Sequence, residues 1–349
     1  MAESQEPKVE SLQDERIYNA RHSEVLMRLL ATLTALVVLV VLAATGNARQ
    51  KGPSTPSTGA WTEKARLGEQ RTEAGVVAVN GKIYVIGGMA RGADSHGLTQ
   101  EYDPATDRWR ERAPMPRPLS HPGAAVLNGK IYVVGGFLKN VHLEAQDAAL
   151  EYDVAADTWR ALPPMKSPRG SVGLAVVDGK IHAIGGRDVN RVTLATHEVY
   201  DPATRKWSDL APLPKARDHA PTIAVDGKIH VIGGRFDMPV DNTNLHHVYD
   251  PATRKWTTAA PIPTPRSGGS AVLYRGMIVI TGGECDGDKP FVANEGFDVK
   301  TGRWTTLAPM PGGRHGIQAA SDGQAIYIPG GAPVCRTGTS DTLLMFRLP

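Results

Sequence analysis

Every tryptophan in this 349-residue chain falls on one ladder. Trp61, Trp109, Trp159, Trp207, Trp256 and Trp304 are separated by 48, 50, 48, 49 and 48 residues. Gly-Gly pairs beginning at Gly87, Gly135, Gly185, Gly233, Gly282 and Gly330 repeat with the same spacings. Between them fall Tyr102-Asp103, Tyr152-Asp153, Tyr200-Asp201, Tyr249-Asp250 and Phe297-Asp298. Three markers held in register at one period mean a single supersecondary unit repeated along the chain, and residues 59–349 divide into six such units.

The second unit shows why the unit is made of strands. Residues 124–129, AAVLNG, end in Asn128-Gly129, a two-residue hairpin turn of the primed type. The returning KIYVVGG is apolar at successive positions, as expected of a strand covered on both faces. AALEYD and TWRALPP supply a third and a fourth strand. The equivalent turns are Asn80-Gly81, Asp178-Gly179, Asp226-Gly227, Arg275-Gly276 and Asp322-Gly323. The 37 Gly and 26 Pro suit a chain of strands and turns.

Gly-Gly after an apolar strand, then Tyr-Asp-Pro, then Trp about six residues on, resembles the kelch repeat. The resemblance implies an all-β fold, a six-bladed kelch β-propeller of four-stranded antiparallel blades around a central channel. Trp61 precedes any Gly-Gly, and no Trp follows Gly330-Gly331. The N-terminal strand around Trp61 is therefore expected to complete the last blade and leave no open edge.

Ahead of the propeller the sequence divides into a polar segment (1–28), a hydrophobic segment (29–45) expected to be helical, and a Gly/Pro/Ser/Thr linker (46–58). The uncharged run 29–44 would span about 24 Å as a helix against roughly 30 Å of bilayer core. It reads either as an uncleaved transmembrane signal anchor or as a signal peptide starting at Met27, the small residues near Gly46 and Ala48 suiting cleavage. Both readings place the propeller outside the cytoplasm, in the periplasm, the envelope or the medium. A net charge of +3 gives no support for a nucleic-acid partner.

The long connections share one face of such a propeller, and binding residues concentrate in loops of that kind. Sixteen residues before each Gly-Gly stand Arg71, Leu119, Arg169, Arg217, Arg266 and Arg314. Five guanidinium groups at the channel rim would form an anion-binding funnel suited to carboxylate or phosphate; within-blade bonding to loop carbonyls is the structural alternative. His121, His219 and His315 accompany them in alternate blades, too far apart for a metal site. His96, His142, His197, His246 and His247 read as solvated loop residues, and His182 and His230 as packing. The acidic loop containing Glu284 lacks calcium-loop spacing and reads as solvated charge. Cys285 and Cys335, in equivalent loops of adjacent blades, could form a disulfide in an oxidising compartment.

No nucleophile–base pair, cofactor motif or metal set is visible. The expectation is an exported or membrane-anchored binding module with an acidic sugar, a peptide or an envelope protein as partner. The alternative is a sugar mutarotase or epimerase similar to the exported kelch enzymes that act on sialic acid. In that family the acid/base is a Glu just after a blade glycine, which Gly283-Glu284 matches; the Arg expected a few residues later is absent, and Lys289 is nearest. A galactose-oxidase-like copper site would need seven blades and a Tyr crosslinked to Cys, for which neither Cys has a suitable neighbour.

Overall fold

The computed structural model describes residues 58–349, apart from 91–93, 140–141, 237–240, 286 and 336–337. The expected segments 1–28 and 29–45, and nearly all of the linker, lie outside the described residues. Among the described residues no helix is long and apolar enough to cross a membrane.

Six four-stranded antiparallel sheets form the six blades. In the first, Gly75–Val79, Lys82–Ile86, Thr99–Asp103 and Arg108–Arg112 pair in chain order. The innermost strands of successive blades are neighbours around the channel. The sixth blade joins Ala320–Ser321, Ile326–Pro329 and Leu343–Arg347 to Ala60–Lys64, so the two ends of the propeller share one sheet. In that sheet Trp61 pairs with Phe346, as Trp109 pairs with Tyr102 in the first blade. Phe346 therefore supplies the aromatic that the Tyr-Asp marker supplies elsewhere.

One feature secures the outer strand of each blade, and two more join the blades. The paired aromatics pack with ring centroids about 5 Å apart in all six blades, 4.9 Å for Trp61 and Phe346. Every indole N–H donates to a carbonyl of the preceding blade, from Trp109 to Ala65 at 2.7 Å and from Trp61 to Ala308 at 2.9 Å. The second glycine of each pair donates its amide to the next blade, from Gly88 to the Leu119 carbonyl at 2.8 Å and from Gly331 to the Arg71 carbonyl at 2.8 Å. The first glycine is required because a Cβ on Gly87 would lie 2.5 Å from that Leu119 oxygen, and its φ is +62°.

Five hairpin turns have positive φ at both central residues, as in Asn128 (51°) and Gly129 (73°). The sixth differs. Asp322 does not take a positive φ, and its carboxylate instead accepts from the Gln324 and Ala325 amides.

His182 and His230 are buried as packing residues, but His197, His246 and His247, expected to be solvated, are buried too. Each lies on a third strand whose side chains turn inward between blades. His182 meets His197 (Nδ1 to Nε2, 2.9 Å) and His230 meets His246 (2.8 Å). The partner rings donate Nδ1–H to the Ala211 and Ala260 carbonyls. Burial lowers His182 and His230 to about 4, and His197 and His246 to about 3.

Two predictions follow from closure and from these imidazoles. Trp61→Ala should lower stability by roughly 2 kcal/mol or more in urea unfolding, since it removes a large ring and the bond across the seam. The folded pKa values lie below the unfolded value, so the unfolded chain gains protons first as pH falls. Stability is complete above about pH 6.5 and is lost toward pH 4, at up to about 1.4 kcal/mol per pH unit for each imidazole. Asn294 occupies the same strand position in the fifth blade and bonds Ala308 in the same way. The double variant His197→Asn/His246→Asn should flatten the fall between pH 6.5 and 5, measured by urea unfolding at each pH.

Candidate functional site

The five arginines do not form a funnel. Arg71, Arg169, Arg217 and Arg266 are at most 1% exposed, and each guanidinium is bound inside its own blade. Arg169 donates to the carbonyls of Ser167, Ala183 and Gly185 and to Glu198 Oε1 at 2.6 Å. Arg71 reaches the Val85, Gly87 and Leu98 carbonyls and Gln100. Arg217 reaches the Val231 carbonyl and His247 Nδ1 at 2.9 Å, and Arg266 reaches the Ile280 carbonyl and Glu295. Arg314 donates to the Gly313 carbonyl. The partner side chain comes 29 or 30 residues later, on the third strand. Burial lowers Arg71 and Arg217 to about 10. Arg71, Arg169, Arg217 and Arg266 thus staple the long loops to the sheets, and the interior carbonyls hold them away from the axis, whereas the half-buried Arg314 is held by its neighbour's carbonyl.

The axis is lined instead by two neighbouring registers. Two residues after each arginine position come Glu73, His121, Ser171, His219, Gly268 and Gly316. All six take a left-handed φ between 51° and 62°, a conformation rare for residues with side chains. Backbone bonds run around this ring, from the Glu73 amide to Gly316, His121 to Glu73, Ser171 to His121 and Gly268 to His219. The second register is the residue directly after each Gly-Gly: Met89, Phe137, Arg187, Arg235, Glu284 and Ala332. Backbone bonds clip it to the residue just before each ring position, as between Phe137 and Ser120 or Arg235 and Asp218.

These registers gather buried charge from several blades. Asp218, fully buried, accepts from Arg187 Nε (2.7 Å), Arg235 Nε (2.8 Å) and His219 Nδ1 (2.6 Å). Arg235 also pairs with Glu284, and its Nη2 lies 3.1 Å from His219 Nδ1 and 3.5 Å from His142 Nε2. His121 Nε2 is 3.5 Å from Glu73. His121, His142 and His219 pack edge to face with centroids 4.9 to 5.3 Å apart. His142 arrives on the hairpin of Phe137–Lys139 and Leu143–Ala145.

Several expectations are corrected here. His121 and His219 stand in alternate blades yet touch, because the ring they share is narrow. His142 and Glu284 are buried at its centre rather than solvated. Among the described residues two groups of side chains have the convergence a metal ion needs, His121/His142/His219 and Glu73/Glu284/His315, each with its ligand atoms within 4.8 Å of one another.

Environment separates the acids. Burial would raise the Asp218 carboxyl, but His219, Arg235 and Arg187 outweigh it and hold the group well below the usual range. The same opposition, led by Arg235, keeps Glu284 low. Glu73 is raised, chiefly by burial. His142 is lowered to about 2 by burial and by its cationic neighbours. Below the ring a cavity of ≈ 340 Å³ runs along the channel between Val76, Leu174, Ile223 and Val272. Gln318 spans part of it, accepting from the Val76 amide and donating to the Pro122 carbonyl.

Cys285 and Cys335 form a disulfide with a Cα–Cα distance of 5.8 Å. It ties the loop carrying Glu284 to the loop whose Val334 carbonyl accepts from His315 Nε2 at 2.9 Å.

The KLHDC2/KLHL20/DRC7 kelch-repeats domain model matches residues 55–221, and the kelch motif model matches residues 216–263. Together they span more than half of the chain. It is a kelch-repeat protein. No curated protein matches it. The solved structure of YjhT superposes on the kelch propeller with a TM-score of 0.67, covering 81% of this chain and 98% of that one at 17% identity. A likeness at that identity establishes the fold.

The central ion cluster can be tested by removing its anion. Asp218→Asn leaves two buried guanidinium groups underpaired and should cost about 3–5 kcal/mol in urea unfolding. Asp209→Asn, which breaks only an exposed pair with Lys166, should cost under about 1 kcal/mol.

Proposed function

We propose that this kelch propeller is a ligand-binding module whose site is the polar end of its central channel, and that the ligand is a small hydroxyl-rich molecule of the sugar class. The observation that carries the reading is the convergence of Glu73, His121, Asp218, His219, Arg235 and Glu284 from four blades onto one axis. Desolvating so many ionisable groups costs stability, and burying apolar side chains of similar size would hold a propeller together as well. Carboxylates, imidazoles, a guanidinium and the Ser171 hydroxyl offer both donors and acceptors to sugar hydroxyls, above a channel with apolar walls. An acidic sugar could take Arg235 from Glu284; a neutral one would bond around the pair.

A second reading is sugar mutarotation or epimerisation. The observation favouring it is that Glu284, directly after a blade glycine, has an arginine partner after all. Arg235 provides it from the neighbouring blade, in place of the one missing from the residues just after Glu284. Export remains part of the proposal, supported by the hydrophobic run 29–44 and by a disulfide suited to an oxidising compartment.

A thermal-shift screen of the full chain against neutral and acidic sugars tests the binding reading. A ligand at one hundred times its dissociation constant should add about 2.7 kcal/mol, and Arg235→Lys should reduce the shift. No shift with any sugar for folded protein overturns it. Anomer exchange of a bound sugar, followed by proton NMR and abolished in Glu284→Gln, would establish the second reading; exchange at the uncatalysed rate would refute it.

A further inference from the structure

We infer that the channel mouth holds a divalent transition-metal ion, ligated by Glu73, Glu284 and His315. The three come from the first, fifth and sixth blades and place one ligand atom each within 4.8 Å of the others. The inference shares a location with the sugar reading but does not depend on it.

His315 and Glu284 are each held with a coordinating atom to spare. His315 is fixed through its backbone, exchanging hydrogen bonds with Ala332 at 3.1 and 2.8 Å. Its Nε2 donates to the Val334 carbonyl at 2.9 Å. Its Nδ1 is buried and has no hydrogen-bond partner. An imidazole oriented through one nitrogen, with the other lone pair bare, is how proteins present histidine to a metal. Glu284 gives Oε2 to Arg235 and Ser267. The nearest partner of its Oε1 is His219 Nε2, at 3.9 Å.

The ring of left-handed residues supplies an independent observation. Four of its six positions carry side chains, and the two that do not are Gly268 and Gly316. A Cβ on Gly268 would lie 2.9 Å from Glu284 Cγ, and one on Gly316 would overlap the Glu73 carboxylate. Side chains are missing from the ring where the two carboxylates lie, so both acids are cradled against backbone and directed at one point.

The neighbouring group of His121, His142 and His219 converges as closely. Its centre, however, is taken by Arg235, whose Nη2 is 3.1 Å from His219 Nδ1 and 3.5 Å from His142 Nε2. A cation there would face a guanidinium at contact distance. One imidazole with two carboxylates suits Zn²⁺, Mn²⁺, Co²⁺ or Fe²⁺ better than Ca²⁺ or Mg²⁺, which take oxygen ligands. Three protein ligands leave positions for water or for an oxygen of a bound molecule.

The test uses the full chain, stripped with a chelator and titrated with Zn²⁺ and with Mn²⁺ by calorimetry. One ion per chain is expected, with Glu73→Gln and His315→Gln each weakening binding at least about tenfold. Pulsed EPR of the Mn²⁺ complex of the unaltered protein should show nitrogen coupling from a single imidazole, a readout independent of whether the variants fold. Folded protein that binds neither ion overturns the inference. So does coupling from three imidazoles with binding abolished in His142→Ala, which would put the ion on the histidine cluster. Sugar binding that persists in chelator while no ion binds defeats this inference alone; ion binding without any sugar shift defeats only the ligand reading.

Discussion

The propeller depends on one hydrogen bond made six times. The amide of each second glycine donates to a carbonyl of the next blade, at the residue sixteen positions before that blade's own Gly-Gly. For the amide to reach, the backbone of one blade must pass against the backbone of the next, and the first glycine must have no side chain. That is the physical content of the Gly-Gly marker, and it explains why the pair survives at every repeat while the loops after it differ. The last such bond, from Gly331 to Arg71, joins the end of the chain to its first loop. Trp61 then repeats the closure on the outside, through its bond to Ala308 and its contact with Phe346.

The same bond accounts for the arginines. Its acceptor carbonyl belongs to the arginine position, so that residue's backbone is fixed at a blade junction and its side chain must find room within its own sheet. The guanidinium runs along the ends of the first three strands, where carbonyls left over by the loops are waiting, and takes a charge partner from the third strand where one exists. Once there it is no longer available to a ligand. The residues two positions later and those after the glycine pair have no such duty. They emerge at the axis and vary from blade to blade: glutamate, histidine, serine and glycine in one register, methionine, phenylalanine, arginine, glutamate and alanine in the other.

Architecture was therefore more legible than chemistry. Trp, Gly-Gly and Tyr-Asp each perform a backbone or packing task that every blade must repeat, so periodicity exposes them, and strand number, blade number and closure follow. Site residues are the positions that break the periodicity. Arg71, Arg169, Arg217, Arg266 and Arg314 attracted attention because they recur, and recurrence marked a structural role. His121, His219, His315 and Glu284 were visible as residues, but their meeting was not, since neighbours on the narrow inner ring lie about 48 residues or more apart in sequence. Arg187 and Arg235 were missed although a signal was present: each directly follows its Gly-Gly, in the register of Glu284. His182 and His230 are legible as packing from their strand position, but their pairing was missed because the partners His197 and His246, fifteen and sixteen residues on, read as loop residues rather than as part of the adjacent strand.

What distinguishes this mouth from an ordinary propeller core is how its polar groups are satisfied. In the blades Arg71, Arg169, Arg217 and Arg266 each find carbonyls and one side chain, and what is left over is a donor, the buried Nε of Arg71, Arg217 and Arg266. At the axis the arrangement is complete on one side only. Asp218 is saturated by two arginines and a histidine, while across the ring His315 keeps a bare nitrogen and two carboxylates lie over glycines. The disulfide between Cys285 and Cys335 secures that unfinished side, since it adjoins both Glu284 and the loop that orients His315. Rigid support beneath unsatisfied groups is costly in a structural core and is what a binding site requires. The asymmetry of an otherwise sixfold molecule thus points to the fifth, sixth and first blades as the place where something is held.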